Sequence, residues 1–343
     1  LDSVVFAETA ISHVDGEAGR LVIAGFDVEQ LATTCSFEDA ARRVIEAGGG
    51  ELALLGPARA AAWEELPQLG DALAATDAMD ALRAALAHLC STGDDLRDAV
   101  AVIGAAPVFV AAWSRLRAGK PPIAPDPSAG HAADYLRMST GTATEATARA
   151  LEAYLVTVID HGMNASTFTA RVITSTASDL VSAAVGSVGA LKGPLHGGAP
   201  GPVLDMLDAI GEPSKAEAWL LGELAAGRRI MGMGHRIYRV RDPRAAVLET
   251  AVKPLASPRL ELARAVEQAA AKILRERKPD RPLAANVEFF TAVLLDAVGL
   301  PREQFAATFA VGRMAGWCAH VLEQRRVGRL VRPASRYVGP MPG

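Results

Sequence analysis

The chain has 343 residues, 50% of them hydrophobic and 22% charged, enough to bury a large core in one or two domains and too apolar for a disordered segment. Its 35 Lys and Arg against 39 Asp and Glu leave a net charge of −4, so no global field draws it to nucleic acid or anionic lipid, and any bound anion must be held by local arginines. Cys35, Cys90 and Cys318 are odd in number, far apart and without a C-x-x-C pair, which argues against a disulfide framework or a zinc site and for reduced thiols in a cytoplasm.

The opening segment, LDSVVFAETAISHVDGEAGR, has none of the basic stretch, apolar run and small-residue site of a signal peptide. Glu8 to Ser12 and Arg20 to Ala24 flank the turn-forming Asp15-Gly16 and are expected to pair as a short hairpin. Almost everything after it reads as helix. Ser36 caps a predicted helix with Asp39 three residues on and Gly48 beyond its end. Met79, Leu82, Leu86 and Leu89 keep the spacing of one buried face, and Leu151, Tyr154, Leu155, Val158 and Ile159 repeat it. The uncharged stretch Ala99 to Trp113 is too short, and too interrupted by Pro107, to span a bilayer, and predicts a buried helix.

Ala118 to Gly130, with Pro121, Pro122, Pro125 and Pro127, should be a surface connection. Asn164-Ala165-Ser166 fits a glycosylation sequon but has no secretory context that would give it a function. His196-Gly197-Gly198-Ala199-Pro200-Gly201-Pro202 cannot sit inside a regular helix, so the chain is expected to change direction there. Without alternating β and α units a doubly wound sheet is disfavoured, and the fold class is all-α with a short N-terminal β-hairpin.

The seven histidines are the first candidates for acid and base work. His88 in a helical pattern, His131 after the Pro-rich connection and His13 beside the hairpin turn are expected to be partly exposed or locally satisfied. His320, on a helix from Phe305 to Glu323, is expected to be structural. His161, His196 and His235 each sit beside glycines or at a helix boundary, where backbone can approach a ligand and N–H groups are unpaired. No H-x-x-x-H or H-x-H pair occurs, so metal-free chemistry is expected.

Arg236, Arg239, Arg241 and Arg244 crowd one segment, and Arg313, Arg329, Arg332 and Arg336 punctuate the C-terminal region. Their planar forks suit carboxylates and phosphates, although for any one of them a solvated, salt-bridged surface is the ordinary alternative. The G-x-G at Gly232 to Gly234 lacks a third glycine and a preceding strand, and no P-loop exists, which disfavours nucleotide hydrolysis. Glu288, set among Val287, Phe289 and Phe290, would have its pKa raised by desolvation and so make a better base, though its spacing alone equally fits an exposed helix glutamate.

In register, ETAIS with DGEAGRLVIAGFDVEQLA, DHGMNASTFTARV, GALKGPLHGGAPGPVLDML, MGMGHRIYRVRDPRA, NVEFFTAVLLDAVGLP, FAVGRMAGWCAHVLEQ and RPASRYVGP resemble the successive signature blocks of citrate synthases. The resemblance implies an intertwined, mostly helical homodimer with a large domain of residues 1–199 and 311–343 and a small domain of residues 200–310 that closes over it. It places His196 at the enolising histidine, His235 at the histidine that polarises the oxaloacetate ketone, and Glu288 at the carboxylate base. His161, Arg244, Arg313 and, from the neighbouring subunit, Arg332 match oxaloacetate ligands. Arg239, with Gly232 and Gly234, falls at the coenzyme A site. Acetyl-CoA is then a substrate and no cofactor is needed. Where the family pattern carries aspartate this sequence has Glu288, and the longer N-terminal region of NADH-inhibited bacterial forms is missing, so no NADH site is expected. Within the same fold, 2-methylcitrate synthase using propionyl-CoA is the nearest alternative, and a non-catalytic binder of organic acids or coenzyme A is another.

Overall fold

The computed structural model describes residues 5–196, 200–277 and 283–342. Its elements are β1 (Ser12–Asp15), β2 (Arg20–Ile23), β3 (Phe26–Asp27), α1 (Val28–Thr34), α2 (Phe37–Gly48), α3 (Leu55–Glu65), α4 (Ala78–Leu86), α5 (Asp95–Arg117), α6 (His131–Thr140) and α7 (Glu145–Thr157), followed by α8 (Ala165–Ser175), α9 (Leu180–Leu191), α10 (Pro200–Ile210), α11 (Ala216–Ala225), α12 (Pro243–Val252), α13 (Pro258–Arg277), α14 (Val287–Ala297) and α15 (Phe305–Val327). The class is all-α, with one small antiparallel sheet of order β1-β2-β3.

That sheet corrects the expected hairpin. The first strand begins at Ser12, where the expected one ended, pairs Ser12 with Ile23 and Asp15 with Arg20, and is joined by a third strand at Phe26–Asp27. The Asp15 carboxylate accepts from the amides of Glu17 and Ala18, so the reversal runs over residues 16–19 rather than at Asp15-Gly16 itself.

The local helix signals hold with small shifts. The Ser36 hydroxyl accepts from Asp39 N at 3.1 Å, while Gly48 is the last helical residue and Gly49, at φ 93°, is the left-handed stop. Helix α4 buries Met79, Leu82 and Leu86 but ends there, so His88 sits in the following turn rather than on the helix. Asp95–Arg117 is long and apolar enough to cross a membrane on length and composition alone, but its apolar window is 78% buried inside the protein and it runs through Pro107 as a core helix. The expected break at His196–Pro202 is only partly seen. Pro200, Gly201 and Pro202 open α10, where the N–H that proline lacks has no helical partner to lose, and residues 197–199 lie outside the described residues.

At the centre α15 is buried on all faces from Ala307 to Gln324 and packs on α2, α5, α8 and α9. A Cβ at Gly316 would fall 2.1 Å from the carbonyl oxygen of Ile159. Only glycine lets α15 lie this close to the chain leaving α7, and that contact fixes the Asp160–Gly162 turn against the middle of the core.

Candidate active site

Five places in the chain bring these residues together. The turn after α7 carries Asp160 and His161; the loop before α12 carries His235 and Tyr238; the first turns of α12 and α14 carry Arg244 and Glu288; the middle of α15 carries Arg313. The rings of His161 and His235 meet edge to face with centroids 5.5 Å apart, and Tyr238 lies against both, its hydroxyl 3.1 Å from His161 Nε2.

Hydrogen bonding assigns the tautomers. His235 Nδ1 accepts from the amides of Ile237 and Tyr238, both at 3.1 Å, which leaves the proton on Nε2. Arg244 Nη2 lies 3.5 Å from that nitrogen. Two donors cannot bond each other, so they share a space suited to an oxygen acceptor. His196 faces the N-terminus of α8, where the Ser166 hydroxyl is 2.9 Å and the Ser166 amide 3.4 Å from Nε2, leaving the proton on Nδ1. Ser166 is held in turn by the Trp317 indole, which donates to its hydroxyl at 3.1 Å.

Burial sets the charges. It lowers His235 and His196 each to about 4, helped by Arg244 for the first and Arg313 for the second, and holds His161 well below the usual imidazole range. All three are neutral near pH 7. Burial also raises Glu288 to about 7 against the opposing pull of Arg244 and Arg313. The sequence expectation of a desolvated carboxyl holds, and the exposed helix glutamate does not.

Each site residue has a local anchor. Asp242 caps α12 through the Arg244 amide, grips the Arg244 guanidinium with both oxygens at 3.0 and 2.8 Å, and accepts from Val287 N at 3.1 Å, tying α12 to the start of α14. Asn286 caps α14 by accepting from Glu288 N and donates to Gly234 O at 2.9 Å. Gly232, at φ 72°, has no room for a Cβ, which would sit 2.9 Å from Phe289. Both glycines therefore serve an antiparallel bridge of Met233 with Ala285 that joins the His235 loop to the Glu288 helix. Arg313 Nε donates to Val158 O at 2.5 Å.

Other candidates lie elsewhere. Arg241 is taken up by Glu249 and Glu267, Arg236 is exposed, and Arg239 is a surface residue 3.9 Å from Glu17. Of the crowded arginines only Arg244 turns inward. Arg332 sits on the exposed extended segment after α15, apart from the group in this chain.

The sequence reading missed the wall behind His161. Arg171 Nε donates to His320 Nδ1 at 3.1 Å, which puts the His320 proton on Nε2, 3.2 Å from Asp160 Oδ1. Arg171 also pairs with Glu323, Glu323 accepts from Ala10 N at 2.8 Å, and the Ser12 hydroxyl donates to Asp160 and accepts from Gly162 N at 2.9 Å. Burial works against ionisation of Asp160, but His320, Arg313 and Ser12 together hold it below its usual range. Nothing local in the sequence marks Arg171 as the partner of Glu323.

A family model described as citrate synthase, C-terminal domain, matches residues 1–334. A putative citrate synthase 2 of Mycobacterium tuberculosis is 55% identical over 56% of this chain, and the match spans 52% of that relative's length. A 2-methylcitrate synthase of the same species is 35% identical over 99% of this chain and 90% of its own. Among solved structures, citrate synthase of the archaeon Thermoplasma acidophilum, in a ternary complex with carboxymethyl coenzyme A and oxaloacetate, superposes with a TM-score of 0.87 at 26% identity, covering 99% of this chain and 96% of that one.

Proposed function

The chain belongs to the citrate synthase family, and from that membership we propose that it condenses acetyl-CoA with oxaloacetate and hydrolyses the thioester to citrate and free coenzyme A, without cofactor or metal. One observation carries the reading: a buried carboxyl near neutrality, Glu288, shares a site with the neutral imidazoles of His161 and His235 and the buried guanidiniums of Arg244 and Arg313.

A thioester methyl is a very weak acid. Glu288 takes its proton while His196 Nδ1–H stabilises the enolate oxygen, so charge never accumulates on carbon. The enol carbon then bonds to the ketone carbon of oxaloacetate, and the ketone oxygen becomes an alkoxide that takes the His235 Nε2 proton. Water cleaves the citryl thioester, releasing a carboxylate and the thiol. Neutral His161 with Arg244 and Arg313 holds the oxaloacetate carboxylates, and Arg332 of the partner subunit completes that set in a homodimer. Arg239 and the loop around Gly232 and Gly234 meet coenzyme A. Residues 200–310 act as a small domain closing on residues 1–199 and 311–343 once oxaloacetate binds.

Relatives of both names support either acyl group, because one methylene in an apolar pocket is worth only about 10- to 200-fold. The deciding measurement is thiol release from acetyl-CoA and from propionyl-CoA with and without oxaloacetate. Higher kcat/KM for acetyl-CoA is expected; higher kcat/KM for propionyl-CoA makes the protein a 2-methylcitrate synthase, and release of neither overturns the proposal. Mixing Arg332→Ala with Arg244→Ala subunits restores part of the activity if the site is shared, and heterodimers without recovery count against sharing.

A further inference from the structure

Nine buried side-chain polar atoms among the described residues lack a hydrogen-bond partner, and three of them, Tyr154 Oη, Glu288 Oε2 and Thr291 Oγ1, belong to the single contact between α7 and α14. Thr291 follows Glu288 by three positions and so lies on the same face of α14. Tyr154 and Thr291 are wholly buried and Glu288 is 9% exposed, so bulk water does not serve these atoms. The backbone beneath Glu288 is fixed, with its amide on Asn286 and the preceding amide on Asp242, but the end of its side chain is not.

The Tyr154 and Thr291 hydroxyls adjoin each other beside the open Glu288 oxygen, and a small rotation or one bridging water lets both donate to it. We propose that Tyr154 and Thr291 form a polar seat for Oε2 of Glu288, orienting the carboxylate so that Oε1 faces the methyl group of the acyl-CoA; they are positioning residues for the base. The proposal rests on Glu288 being that base. A glutamate has one more rotatable bond than the aspartate of the family pattern and needs a second anchor at its far end. Burial, then the charge of Glu288, pushes the Tyr154 phenol well above its usual range, so it remains a donor at any working pH.

The titratable groups that face Glu288 are the charged Arg244 on α12, Asp242 before it and Arg313 on α15, and the neutral Tyr154 phenol on α7. None of the first three is altered by Tyr154→Phe or Thr291→Val, so a change in the titration of the base reports the seat. Each variant is expected to lower kcat about 10- to 100-fold with KM for oxaloacetate unchanged, as for a misplaced reacting group. The acidic limb of the kcat profile should also move to higher pH, because a donor to the ionised form is lost. Thr291→Ser keeps the hydroxyl and should behave as the parent, which separates the seat from packing. Glu288→Gln is measured beside them. If it turns over normally, Glu288 is not the base; if it is inactive while Tyr154→Phe and Thr291→Val retain parental kcat and pH profile, the base stands and the seat is wrong.

Discussion

Along the wall made by α8 and α15, Arg171 faces Glu323 and His320, and His320 faces Asp160. Arg171 has met Glu323, and Asp160 is held by His320, Arg313 and Ser12. Across the site, on α12 and α14, Arg244 and Asp242 are paired, but Arg244 and His235 point two donors at one space and Glu288 keeps an oxygen without a partner. The difference separates framework from chemistry. A wall whose buried groups face partners within the protein holds its shape without ligand, whereas donors and acceptors buried together with none mark where a substrate completes the bonding.

The contrast breaks most sharply at Glu288. Glu288→Gln should lower turnover about 10³-fold, the scale of a lost general base. It should also stabilise the protein. The folded pKa, about 7, is raised above the unfolded value, so the favourable contribution of the protonated carboxyl is complete below the unfolded value and is lost as pH rises through about 7. Removing that buried charge should gain about 1–3 kcal/mol at pH 8 and little at pH 4, read from denaturant unfolding at both. A variant destabilised at pH 8 would place Glu288 in the framework.

On the other wall the sign reverses. Arg171→Met leaves Glu323 and Asp160 buried with one cation fewer, and should cost about 3–5 kcal/mol in unfolding free energy and raise KM for oxaloacetate through the Asp160–Gly162 turn. A melting temperature equal to the parent's would show that the network holds nothing. The smallest effect belongs to the bridge between walls. Gly232→Ala puts a Cβ 2.9 Å from Phe289 at φ 72° and should cost about 1–3 kcal/mol, loosening the His235 loop and weakening oxaloacetate binding in calorimetry.

Legibility in the sequence followed the range of the interaction. Ser36 is a cap that acts within three residues, and the helix it starts is readable locally. The hairpin was half readable: β2 alternates in burial and was found, whereas β1, SHVD, has little apolar signal and takes its register from β2. Glycines and helix boundaries marked His161, His196 and His235 as candidates, but the roles came from the resemblance, and spacing alone left Glu288 free to be an exposed helix residue. His320 was rightly expected to be structural, but its partners lie 149 and 160 positions away in Arg171 and Asp160 respectively, and no local pattern carries such a pairing.

The clasp of Ala10 on Glu323 joins positions 313 apart. During synthesis, the residues just before the first strand and the Asp160 turn bearing His161 can complete their contacts only after α15 has left the ribosome. Contacts of such separation are entropically slow to close, and unpaired charges on α8 and the His161 turn wait, hydrated, until they do. Assembly of the oxaloacetate pocket is therefore a late folding event, and binding activity should appear during refolding only with the slowest phase.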